Sequence, residues 1–162
     1  MRDCTWNAST WLSMQRGRLV WLTRAYSAID ARFVPSQTLH MDAELQEFLD
    51  QEGLMAIPMS IVDQAAYKYA IAAEGDSAPD RVYWQLFMGM VLLIPDGPWR
   101  VFALHDLLEP WVHYVPVRYD LADVVEKIAW LQQHDEEAKE IAVNAAAFAR
   151  HYFSCDGILY FV

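Results

Sequence analysis

Apolar and polar positions switch between helical spacing and short apolar runs along the chain, and these switches predict the elements of the fold. Helical spacing predicts helices over the ranges 16–26, 41–52, 81–88 and 101–108. Short apolar runs predict strands over the ranges 29–34, 67–73, 90–95 and 113–117. Strands that alternate with helices indicate an α/β domain with a mostly parallel sheet. We therefore expect one Rossmann-like domain over residues 1–162, with helices on both faces of the sheet.

The second half of the chain gives the clearest pattern. Met90–Pro95 is continuously apolar, as is typical of a strand buried on both faces. Two amphipathic helices with one apolar face each are predicted near the C-terminus. The first face consists of Leu121, Val124, Val125, Ile128 and Leu131, and the second of Ala138, Ile141, Ala142, Ala145, Phe148, Ala149 and Tyr152. Ligands of parallel sheets bind at the carboxyl ends of the strands, so the loops after Ala73, Pro95 and Val117 are where a site is expected.

The loop after Ala73 has the features of a phosphate-binding turn. Gly75 permits a tight turn, Ser77 is a predicted N-cap, and Asp80 completes a capping-box pattern. Pro79 suits the first turn of a helix. Free backbone N–H groups at such a helix start bind phosphate, and Arg81 adds a forked cationic donor. Ordinary capping with a solvated arginine remains the alternative, since there is no GxGxxG or Walker lysine and Asp80 would repel an anion.

Composition and charge restrict the classes of function. The chain has 162 residues, 55% of them hydrophobic, and a net charge of −10, which argues against non-specific nucleic-acid binding. No apolar run approaches the roughly 20 residues of a membrane span, and the N-terminus lacks the apolar core of a secretory signal. Cys4 and Cys155 have no metal-ligand spacing, and whether they pair stays open. No Asp-x-Asp pair is present to hold a cation against a diphosphate.

A longer pattern in the second half of the chain resembles that of a known family. LLEPWVHYVPV at Leu107–Val117, followed by RYDLADVVEKIAWLQQHDEEAKEIAVNAAAFAR, resembles the C-terminal half of the capsule-associated-protein glycosyltransferases, which include the Rumi-type (KDELC-like) protein O-glucosyltransferases. Upstream, Tyr67-Lys-Tyr69 with Gly75 and Arg81, and Arg16 ahead of Asp30-Ala31, are similar to further family segments. The closest matches are Leu108, Pro110, Trp111, His113, Tyr114, Pro116, Val117, Asp120, Leu121, Asp123, Trp130, Asp135, Ala138, Ile141, Ala142 and Asn144.

The resemblance implies the donor-binding domain of a GT-B glycosyltransferase. Such an enzyme transfers a glucosyl or xylosyl group from a UDP-sugar to a hydroxyl with inversion, and needs no metal or other cofactor. The residues implied at the donor diphosphate are Arg16, Gly75, Ser77 and Arg81. Further candidates for the donor cleft are Ser9, His113 and Tyr114, although the motif around His113 is expected mainly to hold a strand in place. Trp6-Asn7-Ala8-Ser9 stands where the family usually has an Arg-Gly pair.

Two interpretations of function remain open at this stage. Family members have an N-terminal acceptor domain with the carboxylate base, and the resemblance begins after it, so we expect catalysis to need a chain that supplies that half. The first interpretation is therefore the donor half of an O-glycosyltransferase. The alternative is a truncated or degenerate relative that acts as a binding module, or a gene fragment. Many eukaryotic relatives work in the endoplasmic reticulum or Golgi, but no entry signal or retention tail decides the compartment of this chain.

Overall fold

The computed structural model describes residues 6–35, 41–75, 79–98 and 106–154. Contacts between residues divide the chain into two units, Met1–Ser60 and Ile61–Val162. Each unit has its own cluster of buried apolar side chains. The two units are therefore described one at a time, and the assignment of the whole chain to one donor domain stays a prediction.

The first unit is an aromatic core surrounded by short helices. It contains a 3-10 helix, Trp11–Ser13, and two α-helices, α1 (Gln15–Leu22) and α2 (Ala43–Gln51). In α2, the side chain of Asp42 accepts a hydrogen bond of 2.8 Å from the Leu45 N–H, and Gly53 follows the helix with φ of +66°. α2 lies within the predicted range 41–52, whereas α1 begins one residue before the predicted range 16–26 and ends four residues earlier. The buried cluster consists of Trp6, Trp11, Val20, Phe33, Leu45, Leu49 and Leu54.

The strand predicted over 29–34 is wrong, because this segment makes a single bridge. Phe33 pairs in parallel with Met55, through N–H···O bonds of 2.9 Å to the Leu54 carbonyl and 2.8 Å from the Ala56 N–H. A longer parallel ladder needs the next donor two residues on, and that residue is Pro35, which has no N–H. The alternation of apolar residues in the segment reflects packing of Ile29 and Phe33 into the core.

The second unit contains a three-stranded parallel sheet. Its strands are β1 (Tyr69–Ile71), β2 (Val91–Pro95) and β3 (Val115–Val117), in the order β1-β2-β3. All five residues of β2 are buried, as expected for a central strand with a partner on each side. The three strands lie within the predicted ranges and are shorter at their ends. The α/β, Rossmann-like class predicted from the sequence is confirmed.

Along the described part of the second unit, the helices are α3 (Ile61–Gln64), α4 (Val82–Phe87), α5 (Val124–Gln133) and α6 (Asp135–Tyr152). The predicted apolar face of α6 is buried from Ala138 to Ala149, and Tyr152 is half-buried. On α5 the predicted face is buried at Val124, Ile128 and Leu131. Residues 101–105 of the helix predicted at 101–108 lie outside the described residues. The core between the sheet, α4 and α6 consists of Ala72, Val82, Leu86, Leu92, Ile94, Leu108, Ala145, Phe148 and Ala149.

Candidate functional site

The loops after β1, β2 and β3 meet at the carboxyl edge of the sheet, because all three strands are parallel. Glu74 follows β1, Gly97 follows β2 and Tyr119 follows β3. A methyl group placed on Gly97 would overlap the Glu74 carboxylate and would lie 3.1 Å from Cδ2 of Tyr119. An alanine at this position would require the Glu74 side chain to move. The sequence predicted the three loops as the site but did not predict this contact.

The loop after β1 and the turn that follows it bring Gly75 and Arg81, two of the four predicted diphosphate residues, to this edge. Ala73 and Glu74 are buried, Gly75 is half-buried, and Ser77 with its predicted N-cap lies outside the described residues. The chain then turns into α4, with N–H···O bonds of 3.2 Å from Val82 to Pro79 and from Tyr83 to Asp80.

Arg81 occupies the position just before α4. It is half-buried and its backbone is helical, with φ of −57° and ψ of −22°. The sequence placed Arg81 inside the first helical turn, and the observed helix begins one residue later. Asp80 beside it is exposed. The guanidinium and the neighbouring carboxylate therefore lie on the same turn at the ligand edge of the sheet.

Two aspartates hold the loop after β3 in shape. The Asp120 carboxylate accepts hydrogen bonds from Arg118 Nε at 3.0 Å and Nη2 at 2.8 Å, and from the Ala122 N–H at 3.1 Å. Asp123 accepts a bond of 2.8 Å from the Arg118 N–H. The bond to Asp120 raises the pKa of Arg118 and keeps it cationic. Asp120 and Asp123, which both match the family motif, therefore stabilise the loop that follows β3 and contains Tyr119.

Arg16 differs sharply from a second arginine on the same helix of the first unit. The Nε atom of Arg16 is buried and has no hydrogen-bond partner among the residues that the structure describes. Arg18, two residues on, donates from Nε to the Leu12 carbonyl at 2.9 Å. Gly17 between them lies so close to Trp11 that a Cβ would overlap its carbonyl oxygen, which fixes the backbone beside Arg16. A buried N–H without an acceptor costs about 1–3 kcal/mol, a cost that Arg18 Nε avoids through its bond to Leu12.

Ser9 lies in an exposed turn of the first unit. Its hydroxyl and its N–H both donate to the Asn7 side-chain oxygen, at 2.6 Å and 3.0 Å. Thr10 N–H donates to the same oxygen at 3.1 Å. This is an Asx turn, in which the asparagine side chain substitutes for backbone pairing. The segment that replaces the family's Arg-Gly pair is thus closed on itself by local hydrogen bonds.

His113 and Tyr114 precede β3 and so lie at the opposite, amino-terminal edge of the sheet from Gly75 and Arg81. A tight turn holds them there. Its hydrogen bonds run from the His113 N–H to the Glu109 carbonyl at 2.9 Å, from the Glu109 N–H to His113 Nδ1 at 3.0 Å, and from the Trp111 N–H to the Tyr114 carbonyl at 2.7 Å. Burial lowers the pKa of His113, against a smaller opposing effect of the Glu109 charge. The neutral ring with Nδ1 as acceptor is the form that this turn needs.

Trp111 completes this turn in a conformation that is rare for a bulky residue. Its φ is +64°, and its ring lies edge-on to Trp130 with the centroids 5.0 Å apart. Lys127 Nζ lies 4.8 Å from the centre of the Trp111 ring. His113 in turn packs against Phe148 of α6, at 5.0 Å between the rings. The motif that dominates the sequence therefore anchors β3 to α5 and α6.

The described residues contain neither a candidate metal site nor a candidate membrane span. In ranges 6–35, 41–75, 79–98 and 106–154, no three His, Cys, Asp or Glu side chains are grouped so that they could hold a metal ion. Within the same part of the chain, no helix has the length and apolar character needed to cross a membrane.

A parallel sheet with helices around it and its loops gathered at the carboxyl edge places the chain among α/β proteins with a Rossmann-like fold. The chain belongs to Glycosyl transferase family 90, whose model matches residues 5–162. This confirms the resemblance seen in the sequence.

Curated relatives point to the same family. The chain is 36% identical over 129 residues to Protein O-glucosyltransferase 2 of Danio rerio, an alignment that covers 76% of this chain and 26% of that protein. It is 29% identical over 147 residues to Protein O-glucosyltransferase 1 of Homo sapiens, with 90% and 36% covered. It is also 36% identical over 118 residues to protein 179R of Invertebrate iridescent virus 6, with 68% and 10% covered. The alignments thus span between 10% and 36% of the length of these relatives.

Proposed function

We propose that this chain binds a UDP-sugar and presents it for metal-independent, inverting transfer of a glucosyl or xylosyl group to a hydroxyl. Membership of a glycosyl transferase family supports the reaction type, and two of the relatives are named protein O-glucosyltransferases. The donor specificity, the stereochemistry and the independence from metal are part of the proposal. The acceptor and the chain segments that bind it are left open.

The observation that carries the proposal is the buried, unpaired Nε of Arg16. A guanidinium presents its N–H groups as a rigid fork that matches phosphate oxygens. A diphosphate oxygen would supply the acceptor that Nε lacks. The gain is larger than at an exposed arginine, because Arg16 Nε has already lost its water.

Arg81 is the second proposed diphosphate ligand, at the carboxyl edge of the sheet beside the loop of Gly75. In the proposed reaction the acceptor oxygen forms a bond to the anomeric carbon as the bond from that carbon to the β-phosphate oxygen breaks. The electron pair leaves with UDP, and the acceptor proton passes to a carboxylate base, which the family resemblance assigns to the acceptor domain. At the carboxyl edge of the second unit, the Arg81 guanidinium would stabilise the charge that develops on the leaving diphosphate.

The test compares two arginines on the same helix. We expect UDP to bind the purified chain without metal in a calorimetric titration, and Arg16→Ala to weaken binding by about tenfold or more. Arg18→Ala is the matched control, since its Nε already has an acceptor in Leu12. It should leave the UDP affinity within about twofold of wild type. Equal effects of the two substitutions, or no binding at millimolar UDP, would remove the basis of the proposal.

A second candidate function is a donor-binding module without turnover, and Asp80 is the observation that favours it. Its exposed carboxylate is adjacent to Arg81 and opposes a diphosphate there. We expect Asp80→Asn to tighten UDP binding by about two- to fivefold, in the range of surface charge interactions. The test for turnover adds acceptor peptides and the N-terminal domain of a relative to the chain with bound UDP-sugar. If no sugar is transferred, the chain acts as a donor-binding module without turnover.

A further inference from the structure

Glu74 is an ionisable side chain in an unusual place. It is 9% exposed, and among the described residues it is the one buried side chain with a carboxylate. It lies at the carboxyl end of β1, directly after the buried pair Ala72 and Ala73. Burying a carboxylate costs several kcal/mol unless it is paired or hydrogen-bonded, and Glu74 has a polar or electrostatic contact within the chain.

The neighbours of Glu74 fix where its carboxylate lies. A Cβ on Gly97 would overlap Oε1 and would lie 3.0 Å from Cδ of Glu74, so the carboxylate lies directly across this glycine. Tyr119 borders the same point from the loop after β3 and is 49% exposed. The carboxylate is therefore held at the junction of the three loops of the ligand edge, beside a ring that faces solvent.

Charge decides which part of a sugar nucleotide this carboxylate can face. It repels phosphate, whereas the hydroxyls of a sugar donate hydrogen bonds to it. An ionised carboxylate has about four acceptor positions on two oxygens, so it can accept bonds from the protein and from two ligand hydroxyls at once.

We propose that Glu74 is a specificity residue that accepts hydrogen bonds from a pair of neighbouring hydroxyls of the sugar-nucleotide donor. Gly97 is a glycine because a side chain there would displace this carboxylate. The inference rests on the proposed function, since it assigns one part of the same donor. Vicinal hydroxyls occur both on the ribose of UDP and on the transferred sugar, and the experiment separates these two sources.

The first measurement uses the wild-type chain and two pairs of ligands. Calorimetric affinities are compared for UDP and 2′-deoxy-UDP, and for UDP-glucose and UDP-2-deoxyglucose. A hydrogen bond to a charged acceptor changes affinity by about tenfold or more, so one of the pairs should differ by that factor. A difference in the first pair identifies the ribose as the source, and a difference in the second pair identifies the transferred sugar. This arm needs no variant and so does not depend on how a substitution affects folding.

The second measurement repeats the discriminating pair with Glu74→Gln, which keeps the shape and removes the charge. The affinity ratio should fall from about tenfold to about threefold or less, and to near one in Glu74→Ala, as a double-mutant cycle requires. Glu140→Gln, on the exposed face of α6, is the matched control and should leave the ratio unchanged. Thermal unfolding of each variant shows that the comparison is made on folded protein.

Two results would overturn the role of Glu74 while UDP still binds. One is that neither ligand pair differs in affinity. The other is that the ratio stays the same in Glu74→Gln and Glu74→Ala. Both leave the proposed function intact, because UDP binding through the arginines is measured in the same titrations. Failure of the wild-type chain to bind UDP would reject the proposed function and this inference together.

Discussion

The two edges of the sheet in the second unit are built very differently. At the amino-terminal edge of β3, a closed turn joins Glu109 to Tyr114 and satisfies its polar groups internally. At the carboxyl edge, Glu74 is buried across a glycine and the loops end in exposed polar residues. The first edge contains the most recognisable motif of the chain, and the second contains the arrangement suited to a ligand. The most specific sequence motif therefore belongs to the scaffold here, and the weaker sequence signals fall on the candidate site.

Gly97→Ala gives the largest expected effect, because it breaks the carboxyl edge directly. The new methyl group overlaps the Glu74 carboxylate and forces it away, so we expect the free energy of unfolding to fall by about 1–3 kcal/mol, as for overpacked sites. Urea unfolding measures this change. UDP affinity should fall by about tenfold in the same variant.

Glu74→Ala provides the control for this overlap. In that background, Gly97→Ala should cost less than half as much, since the atoms that it displaces are gone. An equal cost in both backgrounds would contradict the close approach of Gly97 to the carboxylate.

Substitutions at Trp111 test how the turn at the amino-terminal edge is stabilised. Its φ of +64° disfavours every residue except glycine, by about 1–2 kcal/mol. Both Trp111→Ala and Trp111→Gly lose the contacts with Trp130 and Lys127, but only glycine relieves the backbone. The free energy of unfolding of Trp111→Gly should therefore be about 1 kcal/mol higher than that of Trp111→Ala.

Val112 is the matched control, as the next residue of the turn with similar exposure and no positive φ. There the order should reverse, with Val112→Ala more stable than Val112→Gly in urea unfolding. The same order at both positions would show that backbone strain at Trp111 is not a factor. UDP affinity should be unchanged in all four variants.

The smallest expected effect is the pH dependence of stability that comes from His113 in the same turn. Burial lowers its pKa from the ordinary value of 6.5, so the folded state disfavours the protonated ring. The stability that it contributes is complete above about pH 6.5 and is lost as the pH falls through the lower folded-state pKa. His113→Asn keeps an acceptor for the Glu109 N–H but does not titrate.

The urea midpoint of the wild-type chain should therefore fall more between pH 7.5 and pH 5.5 than that of His113→Asn. His151→Asn, exposed near the end of α6, should behave like wild type. A wild-type and a His113→Asn chain with the same pH dependence would mean that the ring does not act as the acceptor of this turn.

Sequence patterns predicted well the parts of the fold that depend on local periodicity. The apolar face of α6 and the continuous run of β2 are buried as predicted, because each follows from the spacing of side chains along one element. The strand predicted over 29–34 does not form, because Pro35 has no N–H to continue the pairing beyond the bridge at Phe33. Whether a ladder continues depends on the partner segment as well as on the segment itself. Alternation alone does not reveal whether a neighbouring strand can form a ladder.

The candidate site was predicted at the level of loops and less well at the level of residues. The rule for parallel sheets placed the site after Ala73, Pro95 and Val117, and Gly75 and Arg81 lie there. Contacts across three loops cannot be seen in a linear sequence, and so the packing of Glu74 against Gly97 was missed. A glycine two residues after a buried strand was the only available signal.

The central claim is that the carboxyl edge binds the donor and that the amino-terminal edge of β3 supports it. Titration of UDP without metal into the wild-type chain, Arg81→Ala and His113→Asn tests it most directly. We predict binding to wild type and to His113→Asn with similar affinity, and binding at least about tenfold weaker to Arg81→Ala. Binding that survives in Arg81→Ala but is lost in a folded His113→Asn, or no binding of wild type at millimolar UDP, would contradict it.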